Sequence, residues 1–206
     1  MFRRLRRHRR NLKLRKALLN DDSQALARAL RAGADPNQAF ATESRPHAPA
    51  LLHALQGQQV QCLNLLLEAG AEIPAHAQGT PLGVAAVQAS EQPLALLSAL
   101  LAAGMDANAA QGASFFAALE RDDNLALLLI NRLMQYGGDI RCCDAQGQTP
   151  LALALLDERQ MLVGALISSG APLPDNLAEL PCSEALKTFA RRKQQDLAIQ
   201  RQWAHS

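Results

Sequence analysis

Short apolar blocks that end in glycine recur along the chain. Five segments close in the same way: residues 30–37 (LRAGADPN), 67–74 (LEAGAEIP), 101–108 (LAAGMDAN), 134–141 (MQYGGDIR) and 167–174 (ISSGAPLP). Their first glycines, Gly33, Gly70, Gly104, Gly137 and Gly170, stand 37, 34, 33 and 33 residues apart. Self-similarity at a fixed period of this size marks a repeat architecture. In the last block Met161, Leu162, Ala165 and Leu166, with the branched Val163 and Ile167, give the i, i+3, i+4 stripe of a helix burying one face. A helix that stops and reverses commonly ends in a residue with positive φ, which glycine adopts without strain. Ahead of that helix, Thr149, Pro150 and Leu151 open an earlier one. The Thr hydroxyl caps a first turn, and Pro suits the first helical position, where its missing N–H is not needed.

The pattern predicts an all-α fold of about five paired-helix units over residues 17–175. Residues 1–16 form a basic N-terminal arm before them. Residues 14–30 read as a first unit with an atypical, basic leading helix. Residues 176–206 follow as a capping helix and tail, since terminal units of a stack need a more polar outer face. There Ser183 is positioned to cap a helix from Glu184 to about Gln202, and Leu186, Phe189 and Leu197 are expected to cover the last unit, with Trp203 as a further candidate.

Gly79-Thr80-Pro81-Leu82 and Gln148-Thr149-Pro150-Leu151 resemble the opening of the ankyrin repeat, and GADPN and GMDAN resemble its close. The Thr149 to Gly170 interval of 21 residues matches the family spacing. The second unit departs, with Ala50 and Leu51 in the Thr-Pro positions, although Leu52-His53 keeps the Leu-His pair. The fourth has Ser114 and Phe115 there, and the third carries about three extra residues around Ser90 to Pro93. The resemblance implies an ankyrin-repeat solenoid of helix–turn–helix units joined by projecting loops, often hairpins, binding a partner on its concave face and loop tips. It also implies that His53 is a structural histidine, hydrogen-bonded between loops.

Composition supports helix on helix. Hydrophobic residues make up 49% but aromatics only 3%, so the core must be built mainly from Ala and Leu, which lead the helix scale. The formal net charge of +2 hides an uneven distribution. Residues 1–16 hold nine Lys or Arg and no acid, residues 17–186 are net −11, and the last twenty are net +4. Polyanion contact is therefore expected at the ends, first at Arg3, Arg4, Arg6, Arg7, Arg9 and Arg10. An acidic body steers a basic partner towards itself.

The connection over residues 38–49 exceeds the family loop by about five residues. Its composition reads as a projecting finger with Phe40, Arg45 and His47 exposed to a partner, or as a tolerated surface insertion. His76, Gln78, Gln111, Asp144 and Gln146 mark the other expected partner-binding tips. Five scattered histidines and the absence of HExxH, GxSxG or GxxxxGK[ST] runs offer no catalytic constellation. Asp122-Asp123 and Asp157-Glu158 fall at turns, where capping or solvated charge explains them. The adjacent Cys142 and Cys143, with Cys62 and Cys182, show neither a disulfide framework nor metal-ligand spacing, and a reduced compartment is the simpler reading. The basic start lacks an apolar signal-peptide region, and no run reaches the roughly 18 apolar residues of a membrane span. The expectation is a monomeric, non-catalytic cytoplasmic scaffold or adaptor without cofactor or metal, binding another protein. Two alternatives stay open: a basic arm that tethers the repeats to nucleic acid or an anionic membrane, and a secreted bacterial effector.

Overall fold

The computed structural model describes residues 2–42 and 45–204, and the side chains of residues 2–5, 45, 46, 201 and 204 lie outside that description. The described chain forms two compact units that divide after Met105.

In the first unit, α1 (Phe2–Leu19) pairs with α2 (Ser23–Arg31), α3 (Ala50–Gln56) with α4 (Val60–Glu68), and α5 (Leu82–Val87) with α6 (Pro93–Ala102). Two antiparallel hairpins connect the pairs. Strands β1 (Ala39–Thr42) and β2 (Arg45–Pro49) form the first, and β3 (His76–Ala77) and β4 (Thr80–Pro81) the second. In the second unit, α7 (Ala109–Leu119) pairs with α8 (Asp123–Gln135) and α9 (Pro150–Leu156) with α10 (Gln160–Ser168), and α11 (Glu184–Ala204) packs on α10. The all-α repeat architecture is as the sequence pattern predicts.

All five repeat-closing glycines have φ between +82° and +97°. Each lies in the same double-bonded helix end: the glycine N–H reaches back three residues and the next N–H reaches back five, as in Gly104 to Leu101 and Met105 to Leu100. This geometry satisfies two of the helix's last carbonyls, which is why the chain can reverse in so few residues. A side chain at Gly104 would meet nothing within 4 Å, so its cost is backbone strain alone. Gly104→Ala is expected to destabilise the protein by about 1–2 kcal/mol. Urea unfolding checks this; an unchanged midpoint would show that the turn does not need the left-handed conformation.

The turns inside three repeats use the same bonding with ordinary residues in the left-handed region, at Asp21, Gln58 and Glu158. Their side chains, or those of the next residue, then tie neighbouring repeats together. Gln58 bonds forward to Ser90 Oγ (2.8 Å) and to the Glu91 N–H, which anchors the extra residues before Pro93. Gln59 donates back to the Leu18 carbonyl at 2.8 Å. Glu158 accepts forward from the Ser183 hydroxyl at 2.8 Å, and Arg159 reaches back to the Leu119 and Arg121 carbonyls and to Asp123.

Leu and Ala make up most of each core: Leu26, Leu51, Leu63, Leu66 and Leu96 are fully buried in the first unit, and Leu129 and Leu162 in the second. Phe115, in the Pro position of the fourth repeat, is also fully buried. At the C-terminus Ser183 Oγ accepts from Leu186 N–H as expected, and Leu186 and Ala190 are buried. Trp203, the further candidate for covering the last unit, does not do so: it is 80% exposed and lies thirteen residues past Ala190, near the end of α11.

Candidate functional site

The loop tips hold most of the expected contact residues. His47, His76, Gln78, Gln111 and Gln146 are all exposed. Gln78 and Gln111 have positive φ (53° and 59°), the left-handed conformation of tight turns. Around Gln111 the bend is tight: Ala110, Gln111 and Gly112 are successive left-handed residues, and the regular part of α7 begins only after them. Two non-glycine residues held there together are strained, a state found where the surrounding structure dictates the conformation. Gly112 is required because a Cβ there would lie 2.7 Å from the Cys142 sulfur.

In the second unit, two loops converge on a groove of about 590 Å³ lined by Asn108, Gln111, Asp139, Arg141, Cys143 and Asp144, among others. Gln111 and Asp144 are thus brought together. Asn108 builds the groove wall: its side-chain oxygen accepts from Asp139 N–H (2.7 Å) and its amide donates to the Gly137 carbonyl (3.0 Å). Asn37 does the same for the first unit, accepting from Glu72 N–H at 2.7 Å. Neither asparagine is among the expected site residues, although the shared endings GADPN and GMDAN carried the signal.

Charges in this groove are used internally. Arg141 grips Asp139 with two bonds of 2.9 and 3.0 Å, and this holds the Asp139 carboxyl below its ordinary range. Asp144 accepts from the Gln146 and Gln148 N–H groups at 2.9 and 2.7 Å, so its carboxylate shapes its own loop. The tips are therefore held in place by their own hydrogen bonds. The exposed Gln111 amide and the exposed Cys143 thiol complete the groove rim.

Phe40 departs from expectation. It is 4% exposed, because the pairing of Phe40 with Ala48 turns its ring inward, where it stacks on His53 at 4.1 Å between ring centroids. The Arg15 guanidinium sits 5.6 Å from the Phe40 ring centroid on α1. His53 is buried and its Nε2 lies 2.8 Å from the Phe40 carbonyl, so the histidine ties α3 to the hairpin. The long connection is thus a folded hairpin anchored by Phe40, with His47 exposed on β2. The side chain of Arg45 lies outside the described residues.

The basic N-terminal segment is helical and continuous with the first repeat, since α1 runs unbroken across residue 16. Arg7 pairs with Asp35 at 2.7 Å, Arg10 donates to the Ala32 carbonyl at 2.7 Å, and Asn11 accepts from Asp35 N–H. Arg6 and Arg9 are exposed, and the side chains of Arg3 and Arg4 lie outside the described residues.

The acid pairs at the turns are structural: Asp122 caps α8 through Leu125 N–H, and Asp123 pairs with Arg159 at 2.6 Å. Among the described residues no group of three His, Cys, Asp or Glu side chains is placed to hold a metal ion, and no helix is long and apolar enough to cross a membrane. Burial, with Asp21 and Asp22 adding negative charge, pushes the Cys62 thiol up to about 12; burial and Asp139 push Cys142 up to about 11. A thiol whose folded value is raised stabilises the fold fully below the unfolded value near 9 and loses that contribution as pH rises towards 12. Iodoacetamide at pH 8 is therefore expected to modify exposed Cys143 first and to spare Cys62 in native protein, as read by mass spectrometry. Equal rates at Cys62 and Cys143 would contradict the packing.

No protein-family model matches the chain, and no curated protein matches it. Among solved structures, the chain is similar to the ankyrin repeat domain of Bcl-3, described as a unique member of the IkappaB protein family. That similarity has a TM-score of 0.65 and 20% sequence identity, and covers 85% of this chain and 79% of that one. Its shared course, together with five equivalent helix-ending glycines and their paired helices, identifies this chain as an ankyrin-repeat fold.

Proposed function

We propose that the protein is a non-catalytic scaffold or adaptor that holds a partner protein through its loop tips and the leading helices beside them, the concave face that the repeat pattern implies. The observation that carries this reading is the combination of exposure and fixation at the tips. His47 and His76 sit on hairpin strands, and Gln146 is held by the Asp144 carboxylate, yet all three side chains are exposed. Rigid display of adaptable polar groups lowers the ordering cost of binding. The acidic balance of residues 17–186 favours a partner with a basic surface.

A photo-crosslinking amino acid placed singly at Gln78, Gln111 or Gln146 tests this in cells. The reading expects the same discrete protein adduct from at least two of these positions. It expects none from Leu128 or Met161, which are also about half exposed but lie on the second helices α8 and α10. The same adduct from Leu128 or Met161, with none from the tips, would overturn it.

A further inference from the structure

At the first repeat, α1 and α2 leave an open groove of about 430 Å³ between them. Its rim carries Arg10, Lys13, Lys16 and Arg28, and the methyl groups of Ala25 and Ala29 contribute to its floor. Asp22 also borders it, but its carboxylate is already engaged at 2.7 Å with the Ala25 N–H as the cap of α2. Arg10 is fixed in place by its bond to the Ala32 carbonyl, so one cation of the rim is preorganised. α1 itself carries no acidic residue. Leu12 and Leu19, seven residues apart on the outer side of α1 and outside the groove lining, are 56% and 54% exposed.

We propose that this groove is a second interaction surface, which takes an acidic amphipathic helix of a partner protein. The chemistry of each part points the same way. Four cations against one occupied carboxylate call for Asp and Glu. The small-residue floor admits apolar side chains that insert between two helices, the helix-in-groove mode of recognition. A recessed floor selects a ligand that protrudes into it, which a flat bilayer does not do. Phosphates of a nucleic acid would pair with the rim but leave the apolar Ala25 and Ala29 floor unfilled, whereas the apolar side chains of a helix fill it.

The test uses the full chain and a synthetic peptide of roughly four helical turns with leucine along one face and glutamate on both flanks. Fluorescence anisotropy should show saturable binding, and a lysine-for-glutamate version of the peptide should not bind. Reversing two rim charges, Lys13→Glu with Lys16→Glu, is expected to weaken binding by about tenfold or more. Reversing two charges off the groove, Arg6→Glu with Arg9→Glu, makes the same change in net charge and is expected to have a much smaller effect. Ala25→Leu fills the floor at constant charge and is expected to weaken binding several-fold; circular dichroism confirms that each variant folds. Equal loss from both charge-reversed pairs, or no loss from Ala25→Leu, overturns the groove. Binding to phosphatidylserine vesicles or to an RNA duplex, without binding to the peptide, overturns the choice of partner. None of the loop-tip residues lines this groove, so either result leaves the loop-tip reading to its own experiment.

Discussion

Phe115→Ala is expected to destabilise the protein by about 3–5 kcal/mol, the largest effect of any single substitution considered for this chain. Phe115 is fully buried in a core made mainly of Leu and Ala, so its ring is the largest side chain there and its removal leaves a large cavity in a close-packed interior. It also stands where the fourth repeat lacks the Thr-Pro opening, in a helix whose first residues are left-handed. Thr149 Oγ1 accepts from Ala152 N–H to cap α9, whereas α7, like α3 and α5, has no side-chain cap. The seat of the ring is Gly138, where a Cβ would lie 2.6 Å from Phe115 Cζ and 2.9 Å from the Leu133 carbonyl oxygen. Gly138→Ala should therefore destabilise as well, and Phe115→Leu should recover part of that loss when the two are combined. Urea unfolding of the four proteins in the cycle measures the coupling. Strict additivity would mean that ring and glycine are independent.

Arg159→Met is expected to destabilise by about 3 kcal/mol, because it removes one guanidinium that serves three acceptors at once. Nε lies 2.6 Å from Asp123 Oδ1, Nη2 lies 2.6 Å from the Arg121 carbonyl, and Nη1 reaches the Leu119 carbonyl. The side chain is 17% exposed, so water replaces these bonds poorly. In a protein of this length the loss corresponds to roughly 6–12 °C in Tm. Arg159→Lys should recover little, since one ammonium cannot span acceptors arranged around a planar fork. A shift below about 2 °C would show that the fork is solvated and contributes no more than a surface pair.

Features fixed by the backbone were legible in the sequence. A helix that ends in a reversal needs a left-handed residue, and five glycines at a regular spacing record that need directly. The Thr149 cap, the Pro150 start and the Ser183 cap were legible for the same reason. Phe40 was not, because a lone aromatic in a long loop reads as exposed, and only the register of β1 against β2 decides which way it faces. Trp203, only a further candidate, was not legible because its burial depends on how far α11 continues past the residues that Leu186 and Ala190 pack against. The Gln58-Gln59 and Glu158-Arg159 hooks were invisible, since polar pairs at a turn look like solvated surface until the neighbouring repeat is placed beside them. At the loop tips the sequence located exposed residues, but the groove that joins Gln111 to Asp144 depends on two loops separated by about thirty residues.

If the loop tips hold the partner, a chain with Gln78, Gln111 and Gln146 all replaced by alanine binds the crosslinked partner weakly. Its affinity is expected to fall by about tenfold or more while the unfolding midpoint stays that of the unaltered chain. Unchanged affinity in a fully folded triple variant would place the partner elsewhere on the protein, away from the loop tips.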